Sequence, residues 1–287
     1  MVKNIIVTEK QLIGVHKLLK EQQTDTTNLR AYSFDWDDNI INMPTTIKML
    51  RDNGGEWEKF DVGTDEFATI RDDKNYKLDD EAFSNFINDD SFIEDLGKAL
   101  SDGSYAPSFD KFKEALIYGN PISIITARGH KPETLRKGMD LVISYTFTED
   151  ELSSMIDNIQ QQIPELDGNT PELTLKSYLD SHEYHPVTSR EFTDKFGLEG
   201  GSASNPEANK KIALRDYVTK IVAKTSEMVN TKYNKLSVGF SDDDLGNINA
   251  IVPFIKEVLQ VEFPDVEFVV YDTSEGGMNK IILKQLN

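Results

Sequence analysis

The chain has no cysteine in its 287 residues, only two tryptophans and only four histidines. Without thiols there is no disulfide framework and no thiolate metal site, and a reducing compartment, the cytoplasm, is the expected location. Positive charge is also scarce: 31 Lys and Arg stand against 50 Asp and Glu, a formal net charge of −19. That balance argues against a broad phosphate-backbone footprint, so nucleic acid is expected as a partner only at a phosphorylated end. No run approaches the roughly 20 apolar residues of a membrane span. The start, Met1-Val2-Lys3-Asn4-Ile5-Ile6-Val7, lacks the apolar core of a signal peptide. Internal repeats and low-complexity tracts are absent as well.

What is present is a globular composition, 38% hydrophobic and 28% charged. Leu12, Ile13, Val15, Leu18 and Leu19 predict an amphipathic helix over Thr8–Gln22. Apolar runs predict strands at Ala31–Phe34, Ile122–Ile125, Leu236–Phe240 and Val266–Val270, with a last run at Lys280–Leu283 of undecided type. Helical patterns lie between them at Pro107–Tyr118, from Pro132, over Glu207–Asn230 and over Leu245–Leu259. This alternation predicts an α/β protein: a Rossmann-like, parallel, doubly wound sheet with helices on both faces. Residues 1–38, 107–147 and 202–287 form the expected core. Residues 39–106 read as an acidic, irregular, cap-like insertion, with a Gly54-Gly55 turn and a strand near Phe67–Ile70. Residues 148–201 read as a second, mostly helical insertion, punctuated by Pro164, Pro171 and Pro186.

Chemistry collects at the expected strand ends. Asp35 and Asp37 alternate across Trp36, so on extended backbone their carboxylates leave on one face. Two such charges repel unless a proton or a hard cation sits between them. Thr126 closes the second strand, and Asp242-Asp243 follow the third. Ligands of open α/β sheets gather beyond these carboxyl ends. An acidic turn alone is common; acidic turns after two strands, with a threonine closing a third, are not. His182 and His185 sit three apart, as on a helical face that could hold a metal, but Pro186 and the want of suitable neighbours favour a surface location. His130 reads as a loop residue.

At these positions the chain resembles the haloacid dehalogenase superfamily of phosphohydrolases. The matching segments are Phe34-Asp35-Trp36-Asp37-Asp38-Asn39, Ile124-Ile125-Thr126, a lysine opening the Glu207–Asn230 helix, and the strand ending in Asp242-Asp243. The run Thr126-Ala127-Arg128-Gly129-His130 resembles a phage and bacterial branch of that superfamily. Two departures are visible: Asn39 replaces the usual Thr or Val, and the fourth segment carries an Asp-Asp pair in place of Gly-Asp.

The resemblance implies a Mg2+-dependent phosphomonoester hydrolase. By it, Asp35 is the nucleophile that becomes an aspartyl phosphate, and Asp37 is the acid, then the base. Mg2+ is held by Asp35, the backbone carbonyl of Asp37 and Asp242, with Asp243 beside them. Thr126 and Ala127 offer donors to the phosphoryl oxygens, and Lys210 neutralises their charge. Lys211 competes for that last role, while Arg128 either reaches the phosphate or pairs with an acidic neighbour. Asp242 competes with Asp243 and Asp244 to cap the next helix. The expected substrate is a small phosphorylated molecule. A nucleotide or polynucleotide-end phosphatase, a phosphotransferase or mutase on the same machinery, and a non-catalytic Mg2+-binding module are the alternatives.

Overall fold

Nearly every side chain from Leu29 to Phe34 is apolar or small, the pattern of a parallel strand covered on both faces. The structure, a computed structural model, describes residues 28–199 and 205–283. The helix expected over Thr8–Gln22 lies outside the described residues. In chain order the strands are β1 (Asn28–Phe34), β2 (Ile47–Asn53), β3 (Glu56–Val62), β4 (Tyr76–Leu78), β5 (Ile122–Thr126), β6 (Glu183–Pro186), β7 (Lys235–Asp242), β8 (Val266–Asp272) and β9 (Asn279–Leu283). The helices are α1 (Thr64–Ile70), α2 (Asp89–Asp102), α3 (Phe109–Ile117), α4 (Pro132–Thr146), α5 (Glu149–Gln162), α6 (Pro171–Asp180), α7 (Arg190–Phe196), α8 (Pro206–Thr231) and α9 (Leu245–Phe254).

A six-stranded sheet runs β6-β5-β1-β7-β8-β9. Every pairing in it is parallel except β8–β9, which is antiparallel. The fold is therefore mixed α/β with a mostly parallel, Rossmann-like sheet. The chain steps outward from β1 to β5 and β6, then returns to β7 and steps the other way to β8. Neighbours β1 and β7 thus form the topological switch point, where a crevice opens beyond the carboxyl ends of the strands.

Side-chain parity sorts β1 between two cores. Tyr32 and Phe34 join Phe92, Phe112, Met139, Ile159 and Leu179 beneath α2 to α6. Leu29 and Ala31 join Phe192, Leu214, Val218 and Ile251 beneath α7 to α9. Phe34 and Phe112 meet edge to face at 5.5 Å; truncating either to alanine would cost about 3–5 kcal/mol. Gly239 on β7 has no substitute, because a Cβ there would lie 2.8 Å from the Tyr32 ring and 3.0 Å from that of Tyr271.

Three sequence expectations need correction. Residues 148–201 are not an insertion outside the core: β6 pairs with β5 as an edge strand of the main sheet, and Met155, Ile159, Tyr178 and Leu179 are buried in its core. The strand escaped notice because Glu183-Tyr184-His185-Pro186 carries polar residues and a proline, a composition that only an edge tolerates. Within residues 39–106, α2 likewise packs into the main core through Phe92 and Leu96. The expected strand near Phe67–Ile70 is helix α1, whose Phe67 N–H bonds the Gly63 carbonyl. Ile40, Ile41 and Met43 also join the main core, while the stretch from Ile47 to Leu78 carries a separate three-stranded sheet, β3-β2-β4, whose β2–β3 hairpin turns at Gly54 and Gly55 with φ of 71° and 99°.

Candidate active site

Asp35 leaves β1 on the same side as Leu29 and Ala31, toward α8, and its N–H continues the ladder to the Ser241 carbonyl at 2.9 Å. Asn205 caps α8, accepting from the Ala208 N–H, and Pro206 sets its first turn. One turn in, Lys210 points back at the sheet. Its Nζ lies 3.0 Å from Asp35 Oδ2 and 2.7 Å from Asp242 Oδ2, with the side chain 1% exposed. Lys211 is only half-buried, so of the competing lysines Lys210 is the one at the cluster.

Carboxylate oxygens of Asp35, Asp242 and Asp243 lie within 4.8 Å of one another. Residues some two hundred positions apart therefore meet at the β1–β7 switch point. Asp242 is the most engaged: Oδ2 accepts from Lys210, and Oδ1 from the Asp244 N–H at 3.0 Å and Asn247 Nδ2 at 2.9 Å. Capping of α9 falls to Asp244, which accepts from the Gly246 N–H at 2.6 Å. Asp35 Oδ1, although buried, accepts no hydrogen bond from the described residues. One ammonium thus faces a trio of carboxylates. Burial pushes Asp35 up to about 7, with Lys210 opposing and Asp242 and Asp37 adding to the rise. Burial, then the charges of Asp35 and Asp242, push Asp243 up to about 9. Burial alone would pull Lys210 down, but Asp242 and Asp35 outweigh it and leave its ammonium above the ordinary lysine range.

The chain after Asp35 folds back on itself. Trp36 is buried against Phe92, and its carbonyl accepts from the N–H groups of Ile40 and Ile41. Asp38 takes a left-handed φ of 52°. Asp37 belongs to this turn, and its carboxylate lies outside the acidic trio. Both its oxygens are gripped by Arg128, with Nη2 at 2.6 Å from Oδ1 and Nε at 2.8 Å from Oδ2.

Arg128 does not present its guanidinium to a ligand and is not the phosphate contact its sequence position suggested. Its side chain is fully buried, its donors are taken by Asp37, Thr45 and His130, and its guanidinium lies against the rings of Phe86 and Phe92. Of the two roles the sequence left open, the structure gives it the ion pair. Thr126 closes β5 in full burial, and its Oγ1 accepts from the Arg128 N–H at 3.3 Å. Ala127 is exposed, and its carbonyl accepts from Thr188 Oγ1 at 2.8 Å.

Sequence reasoning missed Asn39 as a site residue and noted it only as a departure. The side chain is fully buried. Nδ2 donates to the Asp35 carbonyl at 3.1 Å and the Ser241 carbonyl at 3.3 Å. Oδ1 accepts from the hydroxyls of Ser108, Ser241 and Thr273, each at 2.9 Å. The signal available was an amide where β-branched residues are usual, with hydroxyl residues closing other segments at the same edge. His130 is a loop residue between β5 and α4, as expected, and is buried. His182 and His185, expected at the surface, are buried too, because one directly precedes β6 and the other lies within it. Burial, then the Arg128 charge, pulls His130 down to about 4; burial, then Arg136, pulls His182 down to about 3.

No family model, curated protein or solved structure matches the chain. The roles of these residues therefore rest on their chemistry and geometry.

Proposed function

We propose that the chain is a Mg2+-dependent phosphomonoester hydrolase, acting as the haloacid dehalogenase superfamily it resembles. The observation that carries this reading is the state of Asp35. One carboxylate oxygen is buried without a hydrogen-bond partner among the described residues, while the other faces Lys210 at 3.0 Å.

The residues fit a hard divalent cation. Their donors are carboxylate oxygens clustered within 4.8 Å with one buried ammonium among three carboxyl groups, so a cation can take the place of the protons that burial holds on Asp35 and Asp243. Asp35, Asp243 and Asp242 would hold Mg2+, with the Asp37 backbone carbonyl as the resemblance implies. When bound, the ion screens the phosphate dianion from the carboxylates and polarises the phosphoryl oxygens. Asp242 brings the least free donor capacity and serves chiefly to fix Lys210.

In the first step the free Asp35 oxygen attacks phosphorus, the ester P–O bond breaks, and Asp37 gives a proton to the departing oxygen. In the second, a water oxygen attacks the same phosphorus, Asp37 takes the water proton, and the aspartyl P–O bond breaks to release phosphate. Lys210 balances the charge that builds up on the transferred group. Thr126 Oγ1 accepts from backbone, which leaves its hydroxyl proton for a phosphoryl oxygen, next to the exposed residue Ala127.

Residues 39–106 supply a cover that excludes water and selects the substrate. Support comes from two ties at this edge: Thr64 Oγ1 on α1 donates to Asp38 Oδ2, and Arg71 lies 3.9 Å from Asp244. Acidity around the site favours a small phosphorylated substrate. No helix among the described residues is long and apolar enough to cross a membrane, and a cytoplasmic location remains part of this proposal.

The test is phosphate release with Mg2+ from a panel of phosphate esters. Wild type should turn over at least one ester, and Asp35→Asn should lose about 10³-fold or more. Acid-quenched wild type should carry a phosphoryl group on Asp35 by mass spectrometry. A wild type inert toward every ester would overturn the reading in favour of a Mg2+-binding module.

A further inference from the structure

We infer that Arg128 is a positioning residue for Asp37, clamping its carboxylate in one orientation from a socket built largely by residues 39–106. This rests on the phosphatase reading of the site.

Arg128 stands two residues past β5, yet its side chain is fully buried. Isolated ion pairs at such depth cost desolvation that their attraction barely recovers. A guanidinium is retained there when its planar fork fixes a partner, and this one meets both oxygens of Asp37 at 2.6 and 2.8 Å. Its remaining surface is held on every side. Thr45 Oγ1 accepts from Nη2 at 2.9 Å while donating its own proton to Asp95 Oδ2 at 2.8 Å. The rings of Phe86 and Phe92 lie 4.8 and 5.2 Å from the guanidinium carbon. Nη1 lies 3.2 Å from His130 Nε2. Thr45, Phe86, Phe92 and Asp95 all belong to residues 39–106, so that segment holds the clamp as well as covering the edge.

The clamp suits a group that gives a proton and then takes one. Both contacts are already made at 2.6 and 2.8 Å, and they are strongest with the carboxyl ionised, so the clamp holds Asp37 most firmly in the orientation it has once the proton has left for the ester oxygen. They weaken, without being lost, when water supplies the next proton. Orientation of this kind matters most where the leaving oxygen needs the proton. An alkoxide leaving group does; p-nitrophenolate departs without one.

The experiment compares kcat on glycerol phosphate and p-nitrophenyl phosphate for wild type, Arg128→Lys and Thr45→Val, each with Mg2+ and each checked by thermal melting. Arg128→Lys keeps the charge but loses the fork. It should lower kcat about 10²-fold on the alkyl ester and less than about tenfold on the aryl ester, with KM little changed. Thr45→Val should show the same selectivity at roughly three- to tenfold, and it carries the test if Arg128→Lys fails to fold. Equal losses on both esters, or no loss on either, would overturn the clamp while leaving the phosphatase reading standing. A wild type inactive on every ester would overturn that reading, and the clamp with it.

Discussion

Asn39 and Ser241 hold each other twice: the Asn39 Nδ2 donates to the Ser241 carbonyl at 3.3 Å, and its Oδ1 accepts the Ser241 hydroxyl at 2.9 Å. The same amide bonds the Asp35 carbonyl, Ser108 and Thr273. One buried side chain thus pins the ends of β1 and β7, the start of α3 and the residue after β8. Asn39→Leu should cost about 2–4 kcal/mol, since several buried polar partners are left unpaired at once. Urea unfolding should show a lower midpoint with an unchanged slope; a shift within about 0.5 kcal/mol would mean the network is dispensable.

The ammonium of Lys210 is the only cation within reach of Asp35 and Asp242 among the described residues. Lys210→Met keeps the volume and removes the charge, which should cost about 3–5 kcal/mol at neutral pH. Acid should recover part of that loss as the stranded carboxyls take up protons. A variant as stable as wild type at pH 8 would show that the trio needs no counter-charge.

Stability should fall as pH rises from about 6.5, where the buried histidines no longer contribute to the slope, toward 9 in the absence of divalent cations. Asp35 and Asp243 have folded pKa values near 7 and 9, above the ordinary aspartate value of 3.8. Between those limits the folded state holds more protons than the unfolded chain, so raising pH favours unfolding by up to about 1.4 kcal/mol per pH unit for each group. Mg2+ should flatten this slope and raise the melting temperature, with about 2.7 kcal/mol of stabilisation at a hundred times its dissociation constant. Asp243→Asn should lose most of the Mg2+ effect in a calorimetric melt. An unaltered Mg2+ response in that variant would count against the cation site.

At the acid end the buried histidines take over. Neither nitrogen of His182 has a hydrogen-bond partner among the described residues, and burial pulls its pKa from 6.5 down to about 3. The unfolded chain then binds the extra proton, so stability is lost as pH drops through the window from about 6.5 to about 3. His182→Phe should remove one such proton from the slope over that window, measured by chemical unfolding at a series of pH values. An identical slope would show that His182 is protonated in the folded protein.

Strand positions and the acidic turns were legible because both are local. A run such as Leu29-Arg30-Ala31-Tyr32-Ser33-Phe34 must be covered on two faces, and an Asp-rich turn at its carboxyl end advertises itself by charge alone. The Gly54-Gly55 turn was legible for the same reason, since positive φ suits glycine. β6 was hidden because an edge strand is not obliged to be apolar. Arg128 was ambiguous because a guanidinium reads alike whether it faces a ligand or Asp37. Asn39 was noticed only as an exception, since its five hydrogen bonds reach four residues on four separate stretches of the chain.

The sequence by itself determined an α/β chain with carboxylates closing two strands and a threonine closing a third, because patterning and charge act over a few residues. Tertiary structure decided which lysine reaches the carboxylates, that Asp244 and not Asp242 caps α9, and that Arg128 belongs to Asp37. Those outcomes depend on which strands become neighbours at the β1–β7 switch point and which side chains burial forces into contact. Neither is written in any short stretch of residues.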